Sequence, residues 1–134
     1  MFWRLSIMAG KIIADTLETG AGADISTSYV VNGSAKAWLN LTGTGTIALK
    51  DSFNCASATD NGTGDYSATF VNALGNSNYC VTFSAGGNLP TNGSRAIIHK
   101  TYATGSHRGS CQWQGDGSIL DTDNYNVAVQ GDLA

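Results

Sequence analysis

Charge is scarce in this sequence. Asp, Glu, Lys and Arg make up 13% of its 134 residues, against about 25% in ordinary globular domains. Glu occurs once, at Glu18, and Pro once, at Pro90. Helix surfaces are usually covered with Glu, Lys, Arg and Gln, so their scarcity argues against a helical domain. The net charge is −3 and the basic residues are scattered, which leaves no electrostatic footprint for nucleic acid. The three cysteines, Cys55, Cys80 and Cys111, lie far apart and form no CxxC or CxxH. A zinc site therefore has no local support, and an odd count makes no paired disulfide framework. Buried free thiols are the expectation, as suits synthesis in a reducing cytoplasm. Long apolar runs are missing too. The opening MFWRLSIMAGKIIA is interrupted by Arg4 and Lys11, too short for a membrane span and poor as a signal peptide. No membrane insertion and no cofactor are expected.

What is present is small, polar or β-branched. Gly, Thr, Ser and Asn together supply 55 of the 134 residues, a composition suited to short strands and tight turns. Strand signals recur every eight to twelve residues from Tyr29 onward. They are YVV (29–31), closed by Asn32-Gly33, then AKAWLNL (35–41), IAL (47–49), SFNCASAT (52–59) and DYSATFV (65–71). NYCVTFSA (78–85), RAIIHKTYA (95–103), SCQWQ (110–114), SIL (118–120) and NYNVAVQ (124–130) follow. Alternation puts Ala37, Leu39 and Leu41 on one side of their strand, with Lys36, Trp38 and Asn40 on the other. Tyr66, Ala68 and Phe70 share a face, as do Tyr79, Val81 and Phe83, and Phe53 with Cys55. No helix is expected. The fold class is all-β, an antiparallel β-sandwich or jelly-roll-like domain over residues 26–134. Residues 1–25 read as a short N-terminal arm, of which 1–7 is a possible extension upstream of a start at Met8. Such an arm is ordered by contact with something else, and Ile12, Ile13 and Leu17 are its candidate docking residues.

The stretch TDNGTGDY (59–66) could be a calcium loop, a phosphate cradle or a turn. A phosphate loop needs a Lys and a following helix N-terminus. An EF-hand loop needs a Glu six positions after its Gly, where Ala68 stands. Two alternating strands flank the stretch, so it is expected to be a hairpin turn. Among the acidic residues, Asp116, Asp121 and Asp123 are dense enough to ligate a hard cation, but read more simply as a polar turn. No catalytic or metal residue is assigned. His99 falls in a strand and His107 in a loop, TGSHRGS, with no third group to complete a nucleophile–base pair. The Asn-x-Ser/Thr sequons at Asn32, Asn40, Asn61 and Asn92 follow from composition and are not read as glycosylated. Tyr102, His107, Arg108, Gln112 and Trp113, with Asn88 and Asn92, combine flat aromatic faces with neutral hydrogen-bonding tips. Sugars are bound by such groups, so these are the candidate receptor contacts.

The run from YVVNGSAKAW through a Gly-Thr turn, KDSFN and TDNGTGDY to NYCV resembles a module of tailed-phage virion proteins, especially marine ones. KIIADTLET (11–19) is similar to their N-terminal opening. The likeness covers about residues 9–85, and 86–134 follow a looser plan of variable loops and a closing strand. It implies a tail-fibre or related virion structural protein, assembled in the host cytoplasm and not an enzyme. It further implies a homo-oligomer, with a trimer expected, that partners other phage virion proteins and contacts a host surface glycan. A capsid decoration or adaptor protein is the alternative. A glycan hydrolase using Asp116, Asp121, Asp123 and His107 is a remote one.

Overall fold

A computed structural model describes residues 13–87 and 95–134. Near the N-terminus, β1 (Thr16–Glu18) and β2 (Asp24–Ser26) form a small antiparallel hairpin, and α1 (Thr27–Gly33) follows. Eight further strands make the body: β3 (Ala37–Thr42), β4 (Ala48–Phe53), β5 (Cys55–Asp60), β6 (Asp65–Phe70), β7 (Cys80–Gly86), β8 (Arg95–Ala103), β9 (Ser106–Trp113) and β10 (Asn124–Gln130). They form two four-stranded antiparallel sheets, ordered β4-β3-β10-β7 and β5-β6-β9-β8. The all-β antiparallel sandwich expected from composition is what the chain forms.

Period-two alternation builds the core. Leu39 and Leu41 of β3, Tyr125, Val127 and Val129 of β10, and Tyr66, Ala68 and Phe70 of β6 all face inward and are buried. The rings of Tyr66 and Tyr125 meet edge to face at 5.2 Å, a preferred aromatic geometry. Their hydroxyls remain bonded inside the core. Tyr66 donates toward the Asp121 carboxylate (2.9 Å), and the Tyr125 hydroxyl lies 2.8 Å from Nε2 of His107. Burial pushes both phenol pKa values up, with Asp121 adding to the shift at Tyr66.

TDNGTGDY is the hairpin turn between β5 and β6. Gly62 and Gly64 have φ of 122° and 61°, and the Asp60 carboxylate accepts from Gly62 N (2.8 Å).

Three expectations about elements are corrected. YVV (29–31) lies in α1, because the Ser26 hydroxyl accepts from Ser28 N and caps a helix there, as N-cap serines do. Asn32-Gly33 thus ends a helix and closes no strand. SFNCASAT (52–59) is two strands. Asn54 adopts φ 57° and sends the chain from one sheet to the other, so Phe53 and Cys55 belong to different sheets. SIL (118–120) is no strand and pairs only through an isolated bridge from Ile119 to Gln112.

Asn54 also ties the crossing together. Its amide donates to Lys36 O (2.9 Å) and Asn72 O (3.0 Å) and accepts from Asn72 N (2.7 Å). Asn tolerates the left-handed region better than other non-glycine residues. Asn54→Ala is therefore expected to cost roughly 3 kcal/mol, read as a lower urea midpoint. An unchanged midpoint would refute this role.

Candidate functional site

The five candidate receptor contacts do not come together. His107 is not in a loop. The turn is only Thr104 and Gly105, and the register carries His107 into β9, opposite Ala68 and Tyr102. It is fully buried and cannot touch a receptor in this fold. Arg108 is committed to Asp65, donating from Nε and Nη2 at 2.9 Å each, while Lys100 reaches the same carboxylate at 2.6 Å. The Arg108 guanidinium, with Lys100, holds the nearly buried Asp65 at a pKa of about 2. Tyr102 is exposed near one end of the β8–β9 hairpin, its ring tilted against His99 at 3.8 Å. Trp113 is exposed at the other end, six residues along β9 from the partner of Tyr102, or about 20 Å. Gln112 precedes it on the opposite face. Asn88, Asn92 and the arm residue Ile12 lie outside the described residues. Ile13 and Leu17 lie within them and are exposed.

The acidic residues are engaged locally. Asp116 accepts from Ser118 N (2.8 Å), Asp121 from Gly64 N (2.6 Å) and from Tyr66, and Asp123 from Thr44 Oγ1 (2.5 Å). Among the described residues no group of three or more His, Cys, Asp or Glu is placed to hold a metal ion. All three cysteines are free. Cys111 is buried, Cys55 half-buried and Cys80 exposed, so burial of the thiols is corrected for Cys80. Burial pushes the Cys55 thiol up to about 11 and raises Cys111. Both stay protonated at neutral pH and are poor nucleophiles. Among the described residues no helix is long and apolar enough to cross a membrane.

Between the sheets, near β7 and β8, lies a cluster of Tyr79, Phe83, His99 and His107, with the exposed Tyr102 against its rim. The two imidazoles are 4.8 Å apart. Neither nitrogen of His99 nor Nδ1 of His107 has a partner. Burial, and then the neighbouring His99, depress the His107 pKa to about 3, and burial lowers that of His99. Both rings are neutral at pH 7 and serve as packing groups.

The outer face of the β4-β3-β10-β7 sheet is different in kind. The register sets two rows across the strands. Phe53, Trp38, Ala128 and Thr82 form one, and Asp51, Asn40, Asn126 and Ser84 the next. Trp38 and Phe53 stand side by side and exposed, at 38% and 53%. Small Ala128 and Thr82 beside Trp38 leave a shallow, mostly apolar depression of about 370 Å³, whose lining includes Trp38, Asn40, Thr82, Ser84, Asn126 and Ala128. No charged side chain lines it. Asn126 Nδ2 donates to Ser84 Oγ (3.1 Å), and the carbonyl oxygen of Asn40 is buried beneath the surface without a donor. This face offers apolar stacking beside neutral hydrogen-bonding groups, with the exposed Asp51 carboxylate at the end of their row, outside the depression. Its signal in the sequence is Trp38 itself, the one large aromatic out of phase with Leu39 and Leu41.

The chain matches no protein family, no curated protein and no solved structure.

Proposed function

We propose that the chain is a phage virion structural protein, an oligomeric module of a fibre, spike or tail appendage that contributes to host attachment. The phage assignment rests on the YVVNGSAKAW…KDSFN…TDNGTGDY signature. The observation that carries an assembly role is the arm. Ile13, Leu17, Ile25, Tyr29, Val30 and Val31 are all exposed, and α1 has no buried residue. Apolar surface of that extent, on a segment outside the sandwich core, suits a contact with other subunits. The segment 13–35 carries Asp15, Glu18 and Asp24 and no Lys or Arg, so a basic or neutral partner surface fits it best. In this reading the arm docks on the particle or on sister chains, three copies associate, and several weak receptor sites act together by avidity. The role is binding and assembly, without catalysis. A capsid decoration protein would use the same arm and differ in what its outer faces touch.

A chain beginning at Ala35 tests this. Few of the removed described side chains are even half-buried, so its melting temperature is expected to stay within a few degrees of the full chain. Its incorporation into particles is expected to be lost. Normal incorporation would sink the docking role, and a collapsed melting temperature would make the segment part of the fold.

A further inference from the structure

We propose that the outer face of the β4-β3-β10-β7 sheet is a carbohydrate-binding site for a neutral oligosaccharide. One hexopyranose stacks its CH-rich face on the Trp38 indole and sets its hydroxyls on Asn40, Asn126 and Ser84. The site supplies the attachment reading with a ligand class and rests on that reading for the source of the sugar. Its chemistry is read from this face alone.

Four observations converge. First, β3 presents Trp38 on its solvent side while Leu39 and Leu41 fill the core. An exposed Trp beside Ala128 and Thr82 has an uncrowded ring face, and aromatic faces with an open approach are stacking surfaces. Second, the row of Asn40, Asn126 and Ser84 lies two residues along the strands from Trp38, about 7 Å away. A pyranose with its hydroxyls spans a similar distance. A ring centred on Trp38 therefore brings its rim over the amides. Third, Asn126 Nδ2 donates to Ser84 Oγ (3.1 Å), which fixes both groups at the surface. Ser84 is exposed and accepts in that bond, so its O–H is left to donate to a sugar hydroxyl. Fourth, no charged side chain lines the depression. A nucleic acid would need cations along its backbone, and an acidic polysaccharide would meet no compensating charge. Phe53 continues the aromatic row on the neighbouring strand, about 5 Å away between Cβ atoms. Adjacent residues of a sugar chain can occupy the two rings in turn, so an oligosaccharide binds better than a monosaccharide. The shallow, open form of the depression suits an internal stretch of a polymer.

The test is an array of neutral hexose and N-acetylhexosamine oligosaccharides, with acidic glycans beside them, probed with the full chain and followed by calorimetric titration of the best binder. At least one neutral oligosaccharide is expected to bind, and more tightly than its monosaccharide. Trp38→Ala should weaken it at least tenfold, and Asn126→Ala several-fold, with circular dichroism and melting temperature unchanged. Trp113→Ala should leave it intact. Silence across the array overturns the proposal. So does binding that Trp38→Ala leaves untouched, or binding confined to acidic glycans. If Trp38→Ala instead dissociates an oligomer, the face is a contact between copies and the proposal falls. The virion reading fails separately, by absence of the chain from particles.

Discussion

Lowering the pH from 7 to 4.5 is expected to remove about 2 to 3 kcal/mol of folding stability through His107 alone. His107 is fully buried, its Nδ1 has no partner, and its pKa in the fold is about 3. In the unfolded chain it titrates near 6.5. Between those values the unfolded state holds the extra proton, so stability is complete above about pH 6.5 and declines as pH falls toward 3. Each pH unit inside that window costs up to about 1.4 kcal/mol per histidine. His99 shifts in the same direction and steepens the slope. Asp65 acts elsewhere. Its pKa is lowered to about 2, so its contribution is present above about 4 and is lost only as pH falls through 2. Melting curves between pH 7 and 4.5 therefore isolate the histidines, with an expected drop on the order of 10 °C. His107→Phe should flatten most of the slope, and His99→Phe with His107→Phe nearly all of it. A wild-type melting temperature constant across this range would contradict the neutral buried pair.

The second large effect is expected at Gly64. Its φ is 61°, and an added Cβ would lie 2.5 Å from Leu120 O and 2.6 Å from the Ile119 side chain. Both neighbours belong to the 118–122 segment that closes over β9. Gly64 N donates to Asp121 (2.6 Å), Gly64 O accepts from Cys111 N (2.7 Å), and the same Asp121 receives the Tyr66 hydroxyl. One methyl thus strains the turn, pushes a backbone and loosens the polar tip of a buried tyrosine. Gly64→Ala is expected to cost about 3 to 5 kcal/mol. Gly45→Ala is the control. Its φ is similar, 66°, but an added Cβ meets nothing within 4 Å, so the cost should be about 1 kcal/mol. Urea unfolding of both variants gives the comparison. Equal losses would show that the close approach is unimportant.

These two sites also mark what was legible in the sequence. Asn61-Gly62 and Gly64 between alternating strands spell a hairpin, because positive φ and period two are local properties. Leu39, Leu41, Tyr66, Ala68 and Phe70 were likewise readable as inward faces. Asn54 was not. Nothing local distinguishes a residue inside one long strand from one that passes the chain between sheets. His107 was misread because Gly105 and Gly109 made its surroundings look like loop, whereas Gly105 alone belongs to the turn. YVV has strand propensity but sits after a capping serine and pairs with no strand, so the helix wins. The proposed sugar face is not legible in the sequence because Trp38, Asn126 and Ser84 come from three strands far apart along it. Only the register of β10 between β3 and β7 brings them together.

The most direct test of the proposed virion role is a cryo-electron microscopy map of intact phage particles in which the chain is sought and traced. The account predicts an oligomer on the tail, with the 13–34 segment buried against other subunits and Trp38, Asn40 and Asn126 facing solvent. A chain clamped between capsid or tail-tube subunits, with the Trp38 face covered, would contradict it.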